Sequence, residues 1–167
     1  MVERARANSP WREQLTEETQ WSESRGDKLL REKLVKYGFK KGSFDSKGGW
    51  NCYLTNIIKE ADYTKDWRNK SQELRNKAVE IWLPVFQWEL SNSSPKLIVI
   101  MGRQVENYLN DLQRFWKIRL PRTEFIQHYA YIGQRAQGHL GPMHPQRLQE
   151  YDEQIANIAH IFHEINS

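Results

Sequence analysis

Cysteine is nearly missing from this chain: Cys52 is the only one among 167 residues. A single thiol excludes an internal disulfide, and with it any zinc or iron–sulfur site built wholly from cysteines of one chain. Long apolar runs are missing as well. Nothing approaches the ~18 consecutive apolar residues that a membrane-spanning helix needs. The opening residues Met1-Val2-Glu3-Arg4-Ala5-Arg6 lack the apolar core of a secretory signal, so a cytoplasmic protein is expected. Internal repeats and low-complexity segments are absent. So is any excess of negative charge: 25 Lys and Arg outnumber 21 Asp and Glu, a net charge of +4, which suits a polyanionic partner. What the chain has in surplus is tryptophan, seven in all. Core packing is the usual role of this side chain, and exposed copies can stack on bases.

The length suits one domain spanning residues 1–167. Its centre is Pro95-Lys96-Leu97-Ile98-Val99-Ile100-Met101-Gly102, five apolar residues between a proline and a glycine. This reads as a strand buried on both faces, as in a parallel sheet covered by helices on each side. After Gly102, the residues Val105, Tyr108, Leu109, Leu112, Phe115 and Trp116 recur at the three-and-four spacing of an amphipathic helix. Upstream, residues 1–23 are polar and receive no firm assignment. Ser24-Arg25-Gly26-Asp27 has the form of a capping box before a helix carrying Leu29, Leu30, Leu34 and Val35, which Gly38 ends. Trp50 to Thr55 is rich in strand-favouring residues, with Asn56 at the carboxyl end. Residues 59–70 read as a charged, solvated connection. A long helix follows from Ser71, and Pro84 predicts a kink or break near Leu83. Glu124 to Tyr129 reads as a last strand, and a closing helix starts at Pro145. Alternating helices and strands predict a three-layer αβα domain with a small, mainly parallel sheet.

In such folds ligands bind beyond the carboxyl ends of the strands. Three of these ends carry polar groups: Asn56, Gly102-Arg103-Gln104, and His128. Tyr53-Leu54-Thr55-Asn56-Ile57-Ile58-Lys59, then Pro95 to Gly102, then the strand delivering His128 resemble the ordered landmarks of the uracil-DNA glycosylase superfamily. The resemblance covers roughly residues 24–165 and is nearest to the small bacterial and archaeal branch. It implies an enzyme that hydrolyses the N-glycosidic bond of a flipped uracil or other damaged base in DNA, acting as a monomer without cofactor or metal.

The resemblance also assigns roles. Asn56 would read the base edge, since an amide donates and accepts at once, and Trp21 would stack on the base. His128 would stabilise charge developing on the departing base. Gly102, Arg103 and Arg135 would lie along the DNA backbone. The first family motif is a strand followed by an acidic or amide residue that positions water, and Ala7-Asn8-Ser9-Pro10 offers only Asn8. The usual His-Pro-Ser is replaced by His128-Tyr129-Ala130, while His144-Pro145 imitates it locally, which makes His144 a second candidate. Lys40, Lys41 and Arg147 are further candidates for a phosphate rim. Each residue also has a plainer role: Asn56 as a turn cap, His128 as a core histidine, His144 as a helix start, the basic residues as solvated surface. Two other functions therefore stay open, a nucleic-acid-binding module that has lost turnover and an unrelated small α/β ligand-binding protein.

Overall fold

The computed structural model describes residues 24–44, 46, 48–59, 64–134 and 142–167. It falls into two compact units, one formed by Leu54–Ser94 and the other by residues 24–53 with Pro95–Ser167.

The second unit contains the sheet. Strand β1 (Leu97–Met101) pairs in parallel with β2 (Arg122–Ile126), Leu97 opposite Arg122 and Met101 opposite Ile126. A parallel pair needs a crossover. Here it is helix α4 (Arg103–Trp116), whose buried Tyr108, Leu109 and Leu112 lie on one face. Helix α1 (Arg25–Lys36) precedes the sheet, a short α5 (Tyr129–Ile132) follows it, and α6 (Pro145–Glu164) closes the chain. The fold is thus α/β with a small parallel sheet. Ile100, Ile126, Leu109, Leu112, Ile132, Tyr151 and Ile155 are its buried residues around that sheet.

Helix α1 begins as its capping box predicts, with Ser24 Oγ accepting from the Asp27 N–H at 3.2 Å, and ends at Gly38, where φ is 79°. Its first turn lies tight against α5. A Cβ on Gly26 would come within 2.8 Å of the Tyr129 carbonyl oxygen, so this approach requires glycine. The far end of α1 is tied to α6 by Asp152, which accepts from Lys33 Nζ and, at 2.9 Å, from Lys36 Nζ. Lys33 first, then Lys36, hold the Asp152 carboxyl well below its ordinary 3.8. In acid the unfolded chain therefore takes up a proton that the folded chain refuses. Stability from this contact is complete above the unfolded value and is lost as pH falls below about 4. Asp152→Asn should unfold earlier in urea than the parent at about pH 6, and the gap should begin to narrow once the pH falls below about 4; a gap independent of pH would assign Asp152 no electrostatic role.

Three expectations are corrected in this unit. Trp50 to Thr55 is not a strand: Trp50 makes an isolated antiparallel bridge to Lys40, the chain bends at Asn51 and Cys52, and Tyr53 to Thr55 belong to no helix or strand. The cause is the loop before it. Lys40 is 1% exposed, and its ammonium donates to Lys41 O at 3.1 Å, Ser46 O at 2.8 Å, Ser46 Oγ at 3.1 Å and Gly48 O. Gly42, Gly48 and Gly49 supply the positive φ angles that wrap the chain around it. Lys40 is therefore an internal strut and leaves the proposed phosphate rim. Second, β1 is covered less than its apolar sequence predicts, with Ile100 alone fully buried. Third, β2 starts at Arg122 and stops at Ile126, before His128.

The other unit is built on α3 (Gln72–Ser93), capped by Ser71 Oγ and closed by Ser94 in the left-handed region. Pro84 lies inside α3, which continues across it, so the break expected near Leu83 does not form. Pro84 is exposed, so water can satisfy the carbonyl one turn back that its missing N–H leaves free. The charged connection also contains α2 (Thr64–Asn69), whose six residues are too few to show a periodic stripe. Ala78, Val79, Leu83 and Phe86 form the buried side of α3.

Candidate functional site

Beyond Met101 the chain turns at Gly102, whose φ of 95° suits glycine and whose N–H donates to Ile126 O at 2.9 Å, extending the ladder by one bond. Beyond Ile126 the other strand delivers His128. The two meet: a Cβ on Gly102 would fall 2.9 Å from His128 Cβ and 3.4 Å from Cδ2. The parallel register thus brings two of the three predicted strand ends together.

His128 is the N-cap of α5. Its Nδ1 accepts from the Ala130 N–H at 3.1 Å, so Nδ1 carries no proton and Nε2 is the N–H of the neutral ring. Burial lowers its pKa from the ordinary 6.5, and the charge of Asp27 opposes this only in part. The ring stacks on Tyr129 with centroids 4.3 Å apart and planes inclined by 28°. At neutral pH the result is an uncharged imidazole of fixed tautomer and restrained plane, offering one N–H donor. Such a group can stabilise a developing oxyanion without a proton transfer.

Asp27, read in the sequence only as part of a capping box, is a buried carboxylate whose field reaches this imidazole. Ser24 Oγ donates to its Oδ2 at 3.0 Å. The signal that could have revealed it was the adjacent Gly26, which allows α1 to approach α5 closely.

The remaining candidates separate. Arg103 follows Gly102, but its guanidinium pairs with Glu106 and lies 4.7 Å from the centroid of the Phe125 ring; it remains exposed and near the strand end. Arg147 stacks on Tyr131 at 4.2 Å. His144 is the N-cap of α6 without a side-chain capping bond, and its Nδ1 is buried with no hydrogen-bond partner among the described residues. Asn8, Trp21 and Arg135 lie outside the described residues. Asn56 belongs to the other unit and sits in an irregular segment just before a bend at Ile57, outside any strand. There, Glu89 on α3 accepts from Thr55 Oγ1 at 2.9 Å and from Lys59 Nζ at 2.8 Å, and Lys59 Nζ also donates to the Asn56 carbonyl. The outer residues of Thr55-Asn56-Ile57-Ile58-Lys59 thus clamp the backbone of Asn56.

Among the described residues no group of three or more His, Cys, Asp or Glu is placed to hold a metal ion, and no helix is long and apolar enough to cross a membrane. Burial pushes the Cys52 thiol up to about 11, which keeps it from acting as a thiolate at neutral pH. The chain matches no family model, no curated protein and no solved structure.

Proposed function

We propose that this chain is a DNA glycosylase of the uracil-DNA glycosylase type, with a three-layer αβα fold, hydrolysing the N-glycosidic bond of a flipped base. The observation that carries the reading is the meeting of Gly102 and His128 at the carboxyl ends of the parallel strands, with His128 held as a neutral Nε2–H donor. A departing pyrimidine leaves with the bonding electrons, and its carbonyl oxygen becomes anionic. An Nε2–H placed at that oxygen stabilises the transition state more than the ground state, where the oxygen is only a carbonyl. Water then bonds to the sugar carbon, and the proton it loses neutralises the base. Asp27 supplies the negative charge beside the imidazole, and the absence of a side chain on Gly102 leaves room for the backbone at that point. The base-reading role of Asn56 rests on the resemblance of its motif.

The test is incubation with end-labelled oligonucleotides containing uracil, hypoxanthine or xanthine, followed by alkaline cleavage at abasic sites. Strand cleavage dependent on one of these bases supports the reading, and intact strands at enzyme excess reject it. The lack of a carboxylate in Ala7-Asn8-Ser9-Pro10, and of an apolar run before it in the sequence, favours the second reading, a binding module without turnover. That reading predicts salt-sensitive retention of the oligonucleotide on a filter with no abasic sites.

A further inference from the structure

The far end of the same sheet carries a second feature. Helix α4 runs from Gly102 back along β1 for fourteen residues, about 21 Å at the usual rise, so its last turn lies towards the amino ends of the strands. There Phe115 is 64% exposed and Trp116 is 47% exposed. Two aromatic rings of that size on a surface call for a partner, because each carries apolar area that water solvates poorly.

The surroundings of the rings are cationic. Arg114, Lys117 and Arg119 are all exposed. Arg122, the first residue of β2, is half exposed and held by Glu124. Lys96, just before the Leu97 that pairs with Arg122, donates to Ile165 O at 3.0 Å and is itself exposed. Five cations thus lie on the last turn of α4, on the segment after it and at the amino ends of the two strands, Arg122 paired with Glu124, while Asp111 is the exposed acid of the preceding turn. The guanidinium of Arg114 lies 5.2 Å from the centroid of the Phe115 ring, so one side of that ring is backed by a cation while most of the side chain remains open to solvent. Lys117 takes a left-handed conformation, φ 54°, at the helix C-cap, and the chain then leaves the helix axis towards Arg119.

From this we infer that the edge formed by Arg114 to Arg122 is a binding site for single-stranded nucleic acid, separate from the strand-end site at Gly102 and His128. The two rings are stacking platforms for successive bases, and the cations meet the phosphates between them. Single strands fit better than duplex, because a stacked ring needs an open base face. They also fit better than a lipid surface: the preceding turn presents Asn110, Asp111 and Gln113, all exposed, where an interfacial helix would present apolar residues. The site is independent of turnover and does not rest on the glycosylase reading.

The experiment is fluorescence anisotropy of a labelled oligothymidylate with the full chain, in parallel with flotation on vesicles containing phosphatidylserine. The parent chain should bind the single strand, more weakly as salt rises. Phe115→Ala and Trp116→Ala should each weaken binding roughly ten-fold, the scale of one stacked base. Arg119→Gln should flatten the salt dependence by the share of about one phosphate, and Lys77→Gln, an exposed cation on α3, should bind as the parent does. Because both rings are exposed, these variants are expected to keep the parent's circular dichroism and melting temperature, and a change there is met by Trp116→Phe, which keeps a ring and should keep binding. Affinity unchanged in both ring variants overturns the inference, as does capture by vesicles without oligonucleotide binding. Loss of abasic-site formation with this binding intact would instead count against the glycosylase reading alone.

Discussion

Replacing His128 with alanine should slow single-turnover base excision by roughly 100-fold or more, because removing one preorganised donor to a developing oxyanion costs about 3 kcal/mol. DNA affinity should change little, since the ground-state carbonyl benefits far less from that donor. The same change removes the acceptor for the Ala130 N–H, so His128→Asn, which can still cap α5 through its side-chain oxygen, separates capping from catalysis. It should restore the melting temperature but not the rate. His144→Ala should alter turnover only mildly, because no side-chain hydrogen bond among the described residues orients His144. The opposite ranking of the two alanine variants would transfer the catalytic role to His144.

The largest effect on stability is expected at Glu89. Its side chain is 9% exposed and that of Lys59 15% exposed, so Glu89→Ala removes the carboxylate that the half-buried Lys59 ammonium pairs with at 2.8 Å and that Thr55 Oγ1 donates to at 2.9 Å. Breaking one side of a buried pair in this way costs about 3–5 kcal/mol. Urea titration of the variant should show a midpoint lowered accordingly. Removing both charges, as Glu89→Leu with Lys59→Met, should recover much of the loss, because no uncompensated charge then remains. A single-variant loss below about 1 kcal/mol would mean that the pair is solvated and that the segment holding Asn56 is fixed by other contacts.

The comparison with the sequence divides along a physical line. The segments that were legible carry their own instructions: the apolar run from Leu97 to Met101 between Pro95 and Gly102, the stripe of α4, the Ser24 cap of α1 and the proline start of α6. The segments that were not legible depend on partners far away in the chain. Trp50 to Thr55 has the side chains of a strand, but a strand exists only with a neighbour to pair with, and the turn around Lys40 leaves only one bridge. The end of β2 lies three residues before the Tyr129 that the sequence suggests, because β propensity does not register that His128 accepts a hydrogen bond from Ala130 and starts a helix. That shift turned a strand-end side chain into a cap, and the cap is what sets the tautomer of its ring. Asp27 was hidden for a related reason. Its local role as a capping partner is complete in itself, and only the contact of α1 with α5 makes it a neighbour of His128.

The caged ammonium of Lys40 bears on the chemical reactivity of the chain. Acylating reagents need to reach a lysine nitrogen, and this one is enclosed by the carbonyls of its own loop, whereas Lys28, Lys77 and Lys117 are open to solvent. In a timed reaction with acetic anhydride followed by peptide mass spectrometry, Lys40 should label last. Its rate then reports how often the loop from Lys41 to Gly49 comes undone, since an amide or amine protected by structure reacts only from the opened form. Early labelling of Lys40, together with the exposed lysines, would mean that the loop is open for much of the time. If protection holds, this one nitrogen serves as a built-in clock for local unfolding, readable without any substitution in the protein.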